Sequence, residues 1–529
     1  MKKRRCIHLG ELVQKQAQKH ANRCFAIQAE TGLSLTYLQF NQKINQIAHA
    51  LHKKTKLKSG DFVGIMLDNS LDYLCFSYAL KKLNLCEIAI NTNFKGILLA
   101  RMLNLADCKW LILEHLYLPV IYDIISQLKH LRYIILVDPA ISDEQTRDEQ
   151  KIQDAGIIVF NTHQINANKS DNFNNFCKDD RLCVIMFTSG TTGTAKGCMI
   201  SHRGAIRAAE SVLEAFDLSK HDRVYSPYPQ FHVGASHYDI LPAMLLGASV
   251  VLRRQFSVTQ FWTDVAQYEA TWFMALGSVQ QLLWAAPTHK QERHHKLRFI
   301  WGTPLPIEAT EFEARFNVKI FKGGGYGSTD AGAPALPLPD KKGAGKIRDC
   351  YQVAIVDEDD QILPSGKIGE LVIRPNEPAI MFSGYFGLPE LTCESWRNLW
   401  FHTGDLAKID QDGDLIFISR MSERIRVKGN MVAASEIEEI LNLHPAIQDT
   451  GIIGVADESG EEQIYAFITL RPSLAYQNKT PEIDIEELIE FCKKKMSRFM
   501  IPAKWHILER MPMTPSGKIA RGELKKIID

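Results

Sequence analysis

A chain of 529 residues is longer than one hydrophobic core usually organises, so two or more domains are expected. Its 45% hydrophobic and 23% charged residues are those of a globular protein and exclude a fibrous or wholly disordered one. A formal net charge of +1 gives no global field for a polyanion, which argues against nucleic-acid binding and for a small-molecule partner.

The eleven cysteines form no CxxC pair, and no histidines stand near Cys177 and Cys183 at zinc-site spacing. They read as reduced thiols, mostly apolar filler, in a cytoplasmic protein. The basic start, Met1 to His8, has no apolar stretch behind it, so no signal peptide is expected. The longest apolar segment, 241–252, is interrupted by Pro242 and Gly247 and is shorter than the roughly 20 residues a spanning helix needs.

In chain order, Ile44, Ile47, Ala48 and Leu51 keep helical spacing, and Gly60-Asp61 turns into an apolar strand over 62–67. A helix over 71–83 and strands at 110–113 and 133–137 continue the alternation, which indicates α/β layering with buried parallel strands. Residues 141–180 are polar and read as a solvated connection. Further α/β units occupy 181–340. Short strands from about 346 (352–356, a turn at 364–366, 370–374) predict a small β-rich subdomain. Beyond Arg420 the chain restarts with helices at 434–443 and 483–496 and a strand at 452–455. The expected fold is therefore α/β: a large N-terminal domain of layered α/β subdomains with a small β-rich one, then a small α+β C-terminal domain.

The most informative segment is Thr188-Ser189-Gly190-Thr191-Thr192-Gly193-Thr194-Ala195-Lys196-Gly197, which follows the apolar run Val184 to Phe187 and precedes a helix-like stretch. Three glycines and five hydroxyl residues let backbone N–H groups close around phosphate oxygens, and one lysine adds a fixed charge. The order Ala-Lys-Gly rules out a Walker loop, which requires Gly-Lys-Ser/Thr. A flexible surface loop is the alternative, and the strand leading into it weighs against that.

This segment resembles the phosphate loop of the adenylate-forming superfamily, which holds acyl-CoA synthetases, luciferases and peptide-synthetase adenylation domains. The resemblance extends in order through Pro229-Gln230-Phe231-His232, Gly302-Thr303-Pro304-Leu305, Gly325-Tyr326-Gly327-Ser328-Thr329-Asp330, Phe401-His402-Thr403-Gly404-Asp405-Leu406, Arg420 with Lys428-Gly429, and Pro515-Ser516-Gly517-Lys518. It implies an N-terminal adenylation domain over 1–419, a hinge at 420–423 and a mobile C-terminal domain over 424–529.

The resemblance also implies roles. Thr188, Ser189, Gly190, Thr191, Thr192, Gly193 and Lys196 would hold phosphates, with Gly325, Tyr326, Gly327, Thr329, Asp405 and Arg420 around the nucleotide. Thr188 and Asp330 would position Mg²⁺; the family's residue is glutamate, one methylene longer than Asp330. Lys518 would stabilise charge developing between carboxylate and α-phosphate. His232 would gate an acyl pocket lined with Val233, Gly234 and Gly302. Arg426, Lys428 and Gly429 would serve the thioester step after the C-terminal domain rotates. Ser422 departs from the family's usual Asp or Lys at the hinge.

The expected substrates are a small carboxylic acid, ATP and coenzyme A, the last because no carrier-protein domain follows the lysine motif. The C-terminal half is most similar to the crotonobetaine/carnitine–CoA ligase branch, which implies an acid with a quaternary ammonium group facing Tyr238, Trp272 and Trp301. Three readings stand at this point: an acyl-CoA ligase, an adenylating enzyme with a carrier protein or another nucleophile as acceptor, and a non-catalytic nucleotide-binding protein. Monomer and homodimer are both open.

Overall fold

The computed structural model describes residues 8–528 apart from 138–142, 166, 190–194, 303–308, 322, 340, 342–343, 422–423, 428–429, 457–461, 472–482 and 514–518. Helix α1 (Leu9–Lys19) starts where His8 Nδ1 accepts the Gly10 N–H. It buries Leu9, Leu12, Val13, Gln16 and Ala17, the one-face stripe of a 3.6-residue repeat.

Two seven-stranded sheets form the N-terminal body. One orders Ile158–Asn161, Tyr133–Val137, Trp110–Glu114, Phe62–Met66, Cys86–Ala89, β1 (Leu182–Ser189) and β2 (Ala195–Ser201), parallel except for the β1–β2 hairpin. The other orders Lys319–Phe321, Phe299–Trp301, Trp272–Met274, Arg223–Ser226, Ser249–Leu252, Cys24–Gln28 and Ser34–Thr36, parallel except for the last pair. Strands such as Trp110–Glu114 are buried at every position, because both sheet faces are covered. One apolar core joins the sheets. It takes Val63, Ile65 and Val184 from one, Phe25, Val224 and Val250 from the other, and Phe40, Ile44, Leu74 and Phe76 from the helices Tyr37–Lys54 and Leu71–Lys82 between them. Helix α2 (His202–Ala215) adds Ala205, Ala209 and Val212.

A third sheet is antiparallel and orders β3 (Tyr326–Ser328), Gly332–Pro337, Ala344–Ile347, Asp414–Arg420, Phe401–Ile409, Gly369–Pro375 and Tyr351–Val356; β4 denotes Phe401–Ile409 and β5 Asp414–Arg420. Beyond it, a three-stranded sheet of Ile447–Ala456, Glu462–Leu470 and Lys504–Ile507 packs with the helices Ala434–Leu441, Ile485–Lys495 and Arg521–Ile528. Among the described residues, its apolar clusters draw only on positions from Ile425 onward. The expected α/β architecture, a large N-terminal and a small C-terminal unit, is the one observed. No described helix is long and apolar enough to cross a membrane.

Three local expectations are corrected. The polar stretch 141–180 carries a helix, Asp143–Asp154, and the edge strand Ile158–Asn161. Two apolar residues, Ile152 and Ile157, suffice to dock it against Leu118 and Ile121. Its remainder is tied down as well, since Asn172 Oδ1 accepts from the Nδ2 groups of Asn41 and Asn45 at 2.9 Å each. The stretch after the phosphate segment is strand β2, and a helix begins only at His202. Register pairing of Thr188 with Lys196 makes the segment a hairpin, so no helix N-terminus follows it directly. The antiparallel sheet begins at Tyr326, earlier than the turn spacing from 346 suggested.

Candidate active site

Hairpin β1–β2 sets Thr188 opposite Lys196 and Ser189 opposite Ala195. Gly190, Thr191, Thr192 and Gly193 lie outside the described residues. Backbone bonds lay residues 383–386 alongside β2: the Phe386 N–H donates to Gly197 O and the Ser383 N–H to Met199 O, both at 2.8 Å. Tyr385 is thereby fixed beneath Lys196, whose Nζ lies 5.3 Å from the ring centroid, in cation–π range.

The Tyr385 hydroxyl donates to Asp330 Oδ2 at 2.8 Å, and the Ser328 hydroxyl donates to Oδ1 at 2.6 Å. Two donors thus hold the shorter carboxylate in one orientation. Cys198 on β2 is influenced by both expected metal residues. Burial pushes its thiol well up, the Asp330 charge adds to that, and the Thr188 side chain is hydrogen-bonded to it. Thr188 and Asp330 thus both act on the Cys198 thiol, and both offer the oxygen donors that suit a hard cation.

A second cluster forms across β4 and β5, whose register sets Asp405 opposite Arg420. Asp405 is buried. Its Oδ2 accepts the Tyr326 hydroxyl at 2.6 Å, Arg420 Nε lies 3.4 Å from Oδ1, and its N–H donates to Thr403 Oγ1. Burial first, then the Asp405 charge, raises Tyr326 well above the usual phenol range, so it stays a neutral donor. The Arg420 side chain is 41% exposed.

His232, Val233 and Gly234 lead into a π-helical turn, Gly234–Ile240, a feature often found at functional sites. His232 is exposed, and its Nδ1 accepts the Gly234 N–H at 3.2 Å. The same turn carries Tyr238, whose hydroxyl lies 2.9 Å from where a Cβ on Gly327 would stand; burial pushes that phenol up to about 12. The expected gate segment and the expected nucleotide strand thus meet at Gly327. Gly325 is closed in by Ala335 O and Pro337, and Gly302 by the Ala275 carbonyl, which would be 1.5 Å from a Cβ. Thr329 is half-buried in the turn after β3. Trp272 is packed in the core joining the sheets, whereas Trp301 is half-buried against Phe216 and its indole nitrogen has no hydrogen-bond partner.

Arg426 lies on the strand Arg424–Val427 of a two-stranded hairpin. Lys428, Gly429, Lys518, Ser422 and the stretch Thr303 to Leu305 lie outside the described residues. Met513 and Ile519, which flank the lysine motif, bridge to each other. Sequence reading missed Tyr385. Its only local mark is Gly384 before it, at φ 125°, and nothing in the sequence links it to Asp330 or Lys196.

Comparison with known proteins identifies the family. The family model described as AMP-binding enzyme matches residues 13–386, and AMP-binding enzyme C-terminal domain matches 436–518. The chain is 28% identical over 501 residues to a crotonobetaine/carnitine–CoA ligase of Proteus mirabilis (strain HI4320), covering 93% of each, and 28% over 498 residues to the like-named ligase of Salmonella paratyphi A, again at 93% of each. Among solved structures it superposes on the anthranilate CoA ligase AuaEII in complex with anthranoyl-AMP with a TM-score of 0.86 at 22% identity, covering 98% of this chain and 97% of that one. With the AMP-binding enzyme model matched over residues 13–386, most of its length, the chain belongs to the AMP-binding enzyme family.

Proposed function

We propose that this chain condenses a small carboxylic acid with ATP to an acyl-adenylate and pyrophosphate, and then transfers the acyl group to the thiol of coenzyme A with release of AMP. The observation that carries the reading most directly is the convergence of Tyr326, Asp405 and Arg420 from three separate stretches. A buried carboxylate fixed by a neutral phenol and an arginine is oriented to accept two ribose hydroxyls. Lys196 and the hairpin residues Thr188 to Gly193 take the phosphates.

Thr188 and Asp330 are the residues suited to hold Mg²⁺, and their all-oxygen donors fit that ion. When bound, it supplies neutralisation of phosphate charge. Lys518 stabilises charge on the oxygens between the attacking carboxylate and the α-phosphate, an interaction stronger in the transition state than in the ground state. His232, on the exposed rim of the π-helical turn, closes the acyl pocket during adenylation and clears it for the thiol. Residues 420–423 form the hinge between 1–419 and 424–529, and rotation there presents Arg426, Lys428 and Gly429 for thioester formation. Among the acids, those with a quaternary ammonium group are favoured by similarity to the carnitine ligases. Tyr238 and Trp301 supply aromatic faces near the pocket, while the core position of Trp272 removes it from that role. A cytoplasmic location fits the ten described cysteines, none of which is disulfide-bonded.

The test is pyrophosphate release over a panel of carboxylic acids, with and without coenzyme A, in wild type and Lys518→Ala. Acid-dependent release with thioester formed, and adenylation lost in the variant, is the expected result. Release without thioester transfers the case to a carrier protein or another nucleophile, and ATP binding without release for any acid refutes the ligase reading.

A further inference from the structure

The three strands of chain that meet at the start of α1 bring together two imidazoles and a thiol that the nucleotide site does not use. His8 caps α1, His202 opens α2, and Phe176, next to Cys177, stacks on the His8 ring at 5.0 Å. Both histidines are buried, at 2% and 0% exposure, with ring centroids 3.6 Å apart. Each Nδ1 accepts a backbone N–H at the start of α1, His8 from Gly10 at 3.1 Å and His202 from Leu9 at 3.4 Å. That leaves the two Nε2 atoms, both buried and both without a hydrogen-bond partner. Orphaned polar atoms in a core are costly and call for an explanation. One ring nitrogen of each histidine and the Cys177 sulfur lie within 4.8 Å of one another.

We propose that His8, Cys177 and His202 form a zinc site, with Zn²⁺ held by two imidazole Nε2 atoms and one thiolate and its fourth position open to water. The donor set decides the class of ion: two nitrogens and one sulfur suit zinc and disfavour magnesium or calcium. Zn–N bonds of about 2.0 Å and Zn–S of about 2.3 Å require ligand atoms roughly 3.3–3.8 Å apart, so atoms now held within 4.8 Å of one another must settle to that spacing. Cys177 is only half-buried and lies outside regular structure, so it can supply that movement. Ligation also has a cost. With Nε2 on the metal, the ring proton moves to Nδ1 and the contacts with the Gly10 and Leu9 N–H groups are given up. Three metal bonds outweigh two amide-to-imidazole hydrogen bonds, one of them already long. The ion would fasten the first turn of α1, the segment around Cys177 and the junction of β2 with α2, stretches far apart in sequence. Among the described residues the other metal-like cluster, Asp410, Asp412 and Asp414, is already satisfied by Lys341 Nζ at 2.6 to 2.8 Å.

The full-length protein, reduced and stripped with chelator, would be dialysed against Zn²⁺, and in parallel against Co²⁺ as a spectroscopic probe. One equivalent of Zn²⁺, a rise in thermal midpoint, and a sulfur-to-cobalt charge-transfer band in the near ultraviolet are expected. Cys177→Ser should abolish the band and weaken zinc binding at least about a hundredfold, as loss of one of three metal bonds demands, with the far-ultraviolet circular dichroism unchanged. Exposed Cys393→Ser should leave all three signals intact. His8→Gln should lose the zinc-dependent rise in midpoint. No stoichiometric zinc, a band that survives Cys177→Ser, or a band lost in Cys393→Ser overturns the proposal.

Discussion

Asp405→Asn keeps the shape of the side chain and removes only its charge, which makes it a sharp probe of the Tyr326–Asp405–Arg420 cluster. Its Oδ2 accepts from Tyr326, a phenol too buried to turn to water instead. A hydrogen bond to a charged acceptor is worth about 1.5–3 kcal/mol and a neutral one about 0.5–1.5, so the amide forfeits roughly 1–1.5 kcal/mol there. Arg420, 41% exposed, adds only about 0–1 kcal/mol through its ion pair. The folded state should therefore lose about 1–2.5 kcal/mol. If the same carboxylate also receives two ribose hydroxyls, ATP binding loses about 2 kcal/mol more, roughly a 30-fold rise in Kd. Urea unfolding without nucleotide reads the first quantity, and calorimetric titration of ATP reads the second. A protein destabilised as expected but with ATP affinity within about twofold of wild type would refute the nucleotide role and leave Asp405 as a structural anchor.

Tyr385→Phe leaves Asp330 Oδ2 without its hydroxyl donor. It should cost about 1–2 kcal/mol of stability and raise the Mg²⁺ concentration needed for half-maximal ATP binding, read by Mg²⁺ titration. Gly302→Ala would set a Cβ 1.5 Å from the Ala275 backbone oxygen, whereas Gly327→Ala meets the Tyr238 hydroxyl at 2.9 Å and the Gly332 backbone oxygen at 3.0 Å, overlaps far smaller. Thermal unfolding should therefore rank Gly302→Ala, at more than about 3 kcal/mol, well above Gly327→Ala at about 1–2 kcal/mol. Lys82 is buried, its partners among the described residues are the Asn41 and Gln14 amide oxygens, and burial lowers its ammonium to about 7. Between that value and the unfolded lysine's ordinary pKa the unfolded chain binds more protons, so wild-type stability should rise with pH from about 7 toward 10. Urea midpoints of Lys82→Met measured over the same range should lack this rise; an equal rise in both proteins would show that another group is responsible.

The order of motifs was legible because each is local. Small and hydroxyl residues around Lys196, the Gly-Asp of β4 and the apolar runs of the parallel strands follow from backbone freedom and from burial on both faces. Neighbouring residues express such constraints among themselves. The edge strand Ile158–Asn161 was not legible, since an edge needs backbone partners more than apolar side chains, and its surroundings are polar. The β2 strand after the phosphate segment was misread for a related reason: its conformation is set by pairing with β1 and with residues 383–386, far along the chain. Tyr385 shows the same limit, because its meaning lies in the distance from its hydroxyl to Asp330 and from its ring to Lys196. His8, Cys177 and His202 show it most clearly. Their spacing matches no metal motif, and only the contacts of the start of α1 with His202 and with the crossing segment at Phe176 set their donor atoms side by side. Sequence alone determines which chemistry the chain can carry wherever neighbours cooperate. Tertiary structure decides which distant groups share a charge, a proton or an ion, because those energies depend on separations of a few ångströms that sequence distance does not encode.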